Sequence, residues 1–150
     1  MKNKKSDIRV VSVEVVRPLR HDLLRAGKPF NTTLFERDEE PQTVHFALYR
    51  DREVVSVATI FPAPFSRKPE ALAYQLRGMA TKQKEQGKGF GRQILEAMID
   101  YLREQTDATL LWCNARVQAV DFYQKFGFEF VGQEFEVEGI GPHRVGYYVL

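Results

Sequence analysis

The sequence predicts a mixed α/β (α+β) fold, a largely antiparallel sheet of about six to seven strands with helices on both faces. Three observations predict it. Strand-like runs rich in Val, Ile, Phe and Tyr follow one another in the first half of the chain, and strands alternate with helical stretches in the second. At Phe90 the apolar spacing switches from alternate positions to steps of three and four. The chain has 150 residues, 43% of them hydrophobic and 28% charged, which suits one domain around one core. Residues 1–150 therefore read as a single domain, with the polar Met1–Ser6 frayed.

Each element has its own signal. Ile8 to Val15 is rich in Val and Ile and reads as a strand. In "RPLRHDLLRAG", Pro18 suits a first helical turn, Leu19, Leu23 and Leu24 share a face, and Gly27 can end the helix. "KPFNTTLFERDEEPQ" reads as a long loop or a partly helical excursion, and long loops in compact domains are often functional. "TVHFALYR" and "VVSVATIFP" form a hairpin about Asp51, Arg52 and Glu53, without the Asn-Gly type of turn. After the loop "APFSRKPEA", "LAYQLRGMAT" alternates as a strand.

From Phe90 the stripe Phe90, Ile94, Leu95, Met98, Ile99 and Leu102 marks an amphipathic helix packed on a core. "TLLWCNA" is a short apolar strand of the buried type. "RVQAVDFYQKFGF" is a helix with Val120, Tyr123 and Phe126 on one side, ended by Gly127. "EFVGQEFEVEG" alternates as an edge-type strand, and "HRVGYYVL" is the last strand.

Composition excludes several function classes. The net charge of +2, from 22 basic and 20 acidic residues, gives nucleic acid no clear footprint despite the basic start "MKNKK". The one cysteine, Cys113, excludes an internal disulfide and a zinc site built from cysteine clusters, and no metal is expected. "IRVVSVEVV" is interrupted by Arg9 and Glu14 and lacks a cleavage site, so it does not read as a signal peptide. No apolar run reaches the roughly 20 residues of a membrane helix. A soluble, cytoplasmic chain is the expectation.

The stretch "EQGKGFGR" puts Gly87, Gly89 and Gly91 between a strand and a helix. The first N–H groups of a helix lack intrahelical partners and carry partial positive charge. Glycines let the backbone close on an anion there, and Lys88 and Arg92 add cations. The P-loop spacing is absent, and the G-x-G-x-x-G fingerprint fails because Gln93 follows where Gly is needed. What remains is Gln-x-x-Gly-x-Gly at Gln86, Gly89 and Gly91, which by itself also suits a helix entry with no ligand.

Downstream, beyond an apolar strand, Ala119, Phe122, Tyr123, Lys125, Gly127 and Phe128 fit Ala-x-x-Phe-Tyr-x-Lys-x-Gly-Phe. The two motifs on these elements resemble the GNAT superfamily of acyl-CoA-dependent N-acyltransferases, over nearly the whole chain. The resemblance implies the GNAT fold, acetyl-CoA as cosubstrate, and transfer to a primary amine by direct attack in a ternary complex. It implies that Gln86, Gly87, Lys88, Gly89, Phe90, Gly91 and Arg92 wrap the pyrophosphate of coenzyme A. Met79, Ala80 and Thr81 become the rail for the pantetheine arm, with a backbone N–H near Met79 or Ala80 as oxyanion donor. Asn114 would reach the cofactor by its side chain, and Phe122 lies beside it or packs.

Tyr123 is the implied general acid. A phenol with pKa near 10 can protonate a thiolate whose acid has a pKa near 8.5, given hydrogen-bond reach. The other reading of Tyr123 is an amphipathic aromatic on a helix face. A binding module that senses acyl-CoA without turnover is the alternative function, but it has no need of a phenol near the sulfur.

The attacking amine must be neutral, so a base is required. His45, His143, Glu134, Glu136 and Glu138 are candidates, whereas His21 reads as surface. Asp38, Glu39 and Glu40 lie in the region that often walls the acceptor pocket of this superfamily; they either attract a cationic amine or form a solvated charge run. "LLWCNAR", "GIGPH" and "DEEP" followed by His resemble small bacterial GNAT proteins of unassigned acceptor. In that reading His45 and His143 both face the site; in the other they are structural. Cys113 reads as a small buried residue rather than a nucleophile. Edge strands in the superfamily often pair, which makes a homodimer an option.

Overall fold

The run that looks like one strand is two elements, β1 (Asp7–Val11) and α1 (Val13–Leu24). Ser12 is extended and opens the helix. Val13, Val16 and Arg20 recur at helical spacing and are buried, so packing overrides the weak helix propensity of valine. Pro18 consequently sits inside the helix rather than in its first turn, and the bond it would have donated to the Glu14 carbonyl is lost. This computed structural model describes residues 6–150; the expected fraying of Met1–Ser6 falls, Ser6 apart, outside the described residues.

The remaining elements are β2 (Val44–Arg50), β3 (Glu53–Pro62), β4 (Ala73–Thr81), α2 (Phe90–Gln105), β5 (Leu110–Arg116), α3 (Val120–Phe126), β6 (Glu129–Val137) and β7 (Gly141–Val149). They build one seven-stranded sheet in the order β1-β2-β3-β4-β5-β7-β6. All neighbours are antiparallel except β4 and β5. The β2–β3 turn uses Asp51 and Arg52 at φ 51° and 67°, the two-residue primed geometry without its usual glycine. The long early segment contains a short 3-10 turn at Phe30–Thr33.

Side-chain alternation along β2 explains the layers. Phe46 and Leu48 face α2, packing with Ile94, Leu95, Met98 and Leu102. Ala47, between them, faces α1 with Val57 and Ala80, against Val13, Val16 and Leu19. The predicted stripe of α2 is buried at all six positions.

Two irregularities in β4 shape the functional region. The register with β3 jumps from Val57↔Ala80 to Thr59↔Arg77, so Gly78 and Met79 bulge opposite Ala58. Gly78 has φ +66°, and a Cβ there would stand 3.0 Å from Arg20 Nε and 3.3 Å from Phe35 Cε2. Beyond the bulge, β4 and β5 part. Their parallel pairing ends at Leu76↔Cys113, although the strands run on to Thr81 and Arg116. The gap that opens lies at the C-terminal ends of both strands, where ligands enter open α/β sheets.

Candidate active site

The glycine loop leads from the end of β4 into α2. Gly87 and Gly89 have φ +81° and +86° with open space around them, so the backbone conformation rather than crowding requires glycine. Gly89 caps α2 with no side-chain bond, and the first helical bond runs from Gln93 N–H to Gly89 O at 3.1 Å. The N–H groups of Phe90, Gly91 and Arg92 thus stand at the positive end of a long helix. A Cβ on Gly91 would sit 3.4 Å from Phe122 Cζ and 3.7 Å from Thr81 Oγ1, so its absence keeps the wall open.

Gln86 has a bracing part: its Nε2 donates to Thr81 O at 3.0 Å and ties the loop to the strand. Lys88 pairs with Glu85 at 2.9 Å and Arg92 with Glu96 at 3.0 Å, both exposed pairs of small energetic weight. A cleft of about 530 Å³ runs along Met79, Ala80 and Thr81 and past Gln86, Gly87 and Gly89. It continues over Phe90, Gly91 and Arg92 to Phe122 and Tyr123. Lys88 is the loop residue that does not line it.

Tyr123 forms the floor of this cleft. Its hydroxyl donates to Met79 Sδ at 3.6 Å, across the β4 bulge. Phe122 and Phe128 stand 5.1 Å from the ring and Phe130 6.4 Å, which fixes its orientation. Burial pushes the phenol well above its ordinary pKa, with the nearby Cys113 adding to the effect, so the group is held neutral. Gly127, at φ +125°, ends α3 with its N–H on the Tyr123 and Gln124 carbonyls.

A second cleft of about 520 Å³ opens on the other side of the split, and it shares Met79, Ala119 and Tyr123 with the first. Asn114 and His143 line this one. Asn114 lines the second cleft and not the first: strand alternation buries Cys113 and turns Asn114 outward. His143 pairs in register with Arg116 and is buried, with Nδ1 bonded to Gly141 O at 2.9 Å. A carbonyl only accepts, so Nδ1 is the donor and Nε2 is the nitrogen that holds the lone pair of the neutral ring.

His45 does not join His143. It lies on β2 outside both clefts, and both ring nitrogens are occupied: Nε2 with Asp38 O at 3.0 Å and Nδ1 with Thr59 Oγ1 at 2.8 Å. Asp38 is neither a solvated charge nor an acid open to an amine. It is buried, with Oδ2 2.6 Å from Arg20 Nη1 and Oδ1 3.1 Å from Nη2. Arg20 also donates to Thr33 O at 2.9 Å and Thr59 Oγ1 at 2.9 Å, and lies 4.0 Å over the Phe35 ring. Glu134 and Glu136 on β6 and Glu138 in the turn after it are exposed and line neither cleft. Glu39 and Glu40 are exposed. Burial drives the Cys113 thiol up to about 12, leaving it unreactive.

The arginines were missed by sequence reasoning. Arg20 follows Val13 and Val16 at helical spacing, and that position on an apolar stripe was the available signal for a buried charge. Arg25, Arg77 and Arg116 line the second cleft, and nothing local in the sequence marks them as a group.

The buried network carries a pH prediction. Burial lowers the His45 pKa below the usual 6.5, opposed by its bond to Asp38 and assisted by Arg20 and Arg77. The folded protein thus binds fewer protons at His45 than the unfolded chain does. Its contribution to stability is complete above about pH 6.5 and is lost as pH falls through the lowered folded value. Urea midpoints measured from neutral pH down to about pH 5 should fall more steeply in wild type than in His45→Gln. Equal slopes would refute this role.

Among the described residues no group of His, Cys, Asp and Glu gathers as a metal site, and no helix is long and apolar enough to cross a membrane. Residues 26–144 match the family model of the acetyltransferase (GNAT) domain. The uncharacterised N-acetyltransferase YitI of Bacillus subtilis (strain 168) is 30% identical over 144 residues, 96% of each chain. Among solved structures, a provisionally assigned N-acetyltransferase from Lactobacillus plantarum superposes with TM-score 0.79 at 17% identity, covering 97% of this chain and 98% of that one. An aminoglycoside 6'-N-acetyltransferase complexed with coenzyme A gives TM-score 0.74 at 10% identity, covering 95% and 96%. These two likenesses concern the fold. The family model and the YitI relationship carry the conclusion that the chain belongs to the GNAT acetyltransferase family and is an N-acyltransferase that moves an acyl group from acyl-CoA to an amine.

Proposed function

We propose that acetyl-CoA occupies the glycine-loop cleft and that a primary amine, entering by the second cleft, attacks it directly in a ternary complex. One observation carries this reading: the two clefts share Met79, Ala119 and Tyr123, and the Tyr123 hydroxyl reaches Met79 beside the gap between β4 and β5. The loop suits a pyrophosphate, because open left-handed glycines and an uncapped helix N-terminus present N–H donors to an anion. Met79 lies beyond Leu76, where β4 stops pairing with β5, so that edge of its backbone is available to an extended arm lying along β4.

In this reading Tyr123 supplies the proton that the leaving thiolate takes up. Its raised pKa does not disqualify it, since a thiolate formed on the same apolar floor is equally deprived of water and correspondingly basic. His143 Nε2 receives the proton from the amine, directly or through water. The inert Cys113 supports direct transfer over an acyl-cysteine route. A cytoplasmic setting suits the single buried thiol.

The test combines thermal melting with and without acetyl-CoA and free-thiol release across a panel of amines. We expect a clear rise in Tm with acetyl-CoA and thiol release with at least one amine. Stabilisation without turnover on any amine would favour a sensor, and no stabilisation would remove the coenzyme A assignment of the cleft.

A further inference from the structure

The second cleft has an unusual charge balance. Arg25, Arg77 and Arg116 line it, and Glu36, an exposed residue, is the one acid in the lining. None of the three arginines belongs to an ion pair among the described residues. Arg25 Nη1 and Arg116 Nη2 both donate to the Leu24 carbonyl, at 2.9 and 3.0 Å, which holds two like charges side by side at the end of α1.

Arg77 is the extreme case. Its Nε and Nη2 are shut from solvent with no acceptor. Its guanidinium stacks 4.3 Å over Phe61 and 5.5 Å from Phe35, which orients the fork without neutralising it. Burial lowers the pKa of all three arginines, and at Arg77 the Asp38 and Glu36 carboxylates offset it only in part. Arg77 is half-buried, and desolvated donors without acceptors are costly to the fold unless a ligand satisfies the group, whose planar fork matches a carboxylate. Arg77 stands two residues before Met79 on β4, and both line the second cleft together with Tyr123. A small molecule in that one cleft can therefore meet the phenol with its amine and the arginine with an anionic group.

Resting on the acyltransferase reading above, we infer that the acceptor is an amino carboxylate, an amine with a carboxylate on the same small molecule, and that Arg77 is the specificity-determining residue that seats the carboxylate. Arg25 and Arg116 supply the surrounding positive field, which also disfavours polyamines and other polycations. The sequence-level idea of an acidic wall attracting a cationic amine fails here, because Asp38 is consumed by Arg20 and the lining is net basic.

The experiment measures thiol release from acetyl-CoA with the common amino acids, each against its carboxamide and its decarboxylated amine, and with spermidine as a polycation. Melting with acetyl-CoA alone runs in parallel. The best amino acid should exceed its amide in kcat/KM by roughly 10- to 100-fold, the range of a charge-assisted bond. In Arg77→Gln the acid should fall toward the amide, chiefly through KM, while the melting shift from acetyl-CoA persists. Arg77→Lys should recover only part of the preference, lacking the fork. Equal rates for acid and amide, a preference for spermidine, or an acid-to-amide ratio unchanged in Arg77→Gln would each overturn the inference and leave the acyltransferase reading standing. Stabilisation by acetyl-CoA without turnover of any amino carboxylate would likewise overturn the inference alone. Neither stabilisation nor turnover would overturn both. Should Arg77→Gln fail to fold, the wild-type comparison of acid with amide decides by itself.

Discussion

Tyr123→Phe should lower turnover by about 10²- to 10⁴-fold, the usual worth of a positioned general acid, and leave acetyl-CoA affinity nearly unchanged. The substitution removes one oxygen from a ring clamped by Phe122, Phe128 and Phe130, so the packing survives. Among the described residues the hydroxyl's one partner is the weak acceptor Met79 Sδ at 3.6 Å, and losing that contact costs the fold little. An effect confined to kcat would therefore report the proton rather than the structure. Because burial raises the phenol's pKa, its proton is retained past pH 10, and no alkaline fall in rate below that point should trace to Tyr123. An unaffected rate in Tyr123→Phe would remove it as the acid.

The second large effect falls on stability. Asp38→Ala should destabilise the protein by about 3–5 kcal/mol, because it leaves the Arg20 guanidinium buried without its carboxylate. The same carboxylate accepts from Phe35 N–H at 2.6 Å, so the loop beside the second cleft loses an anchor as well. At roughly 2–4 °C per kcal/mol for a chain of this size, Tm should drop by about 10 °C. Converting both partners in Arg20→Met/Asp38→Leu should recover much of the loss, because no charge is then stranded. Thermal or urea denaturation of the three proteins checks this; a single variant as stable as wild type would show that the pair contributes nothing.

These two sites differ in how far the sequence revealed them. The glycine loop and α2 were legible because their causes are local. Gly87 and Gly89 answer to backbone conformation, and the stripe from Phe90 to Leu102 answers to helical period. Tyr123 was legible through its motif, which lies on one short helix. The start of α1 was not, since a Val-rich run satisfies both a strand and a helix until the sheet shows which face it buries. The Arg20–Asp38 pair joins residues 18 apart, and its acid sits in a charged stretch that looks like solvent-facing loop. Asn114 depends on strand parity beyond the point where β4 and β5 separate, which no local pattern encodes. The histidines divide for the same reason: His45 is surrounded by partners from α1's face of the sheet, and His143 is left with one nitrogen free at the cleft.

In the proposed mechanism the two clefts form one reaction path through the Tyr123–Met79 gap. A crystal structure of the protein with bound coenzyme A tests it most directly. The pyrophosphate should lie on the N–H groups between Gly87 and Arg92, the pantetheine arm along Met79 to Thr81, and the sulfur within about 4 Å of Tyr123 Oη. Coenzyme A bound elsewhere, or seated in the cleft with its sulfur pointing away from Tyr123, would contradict it.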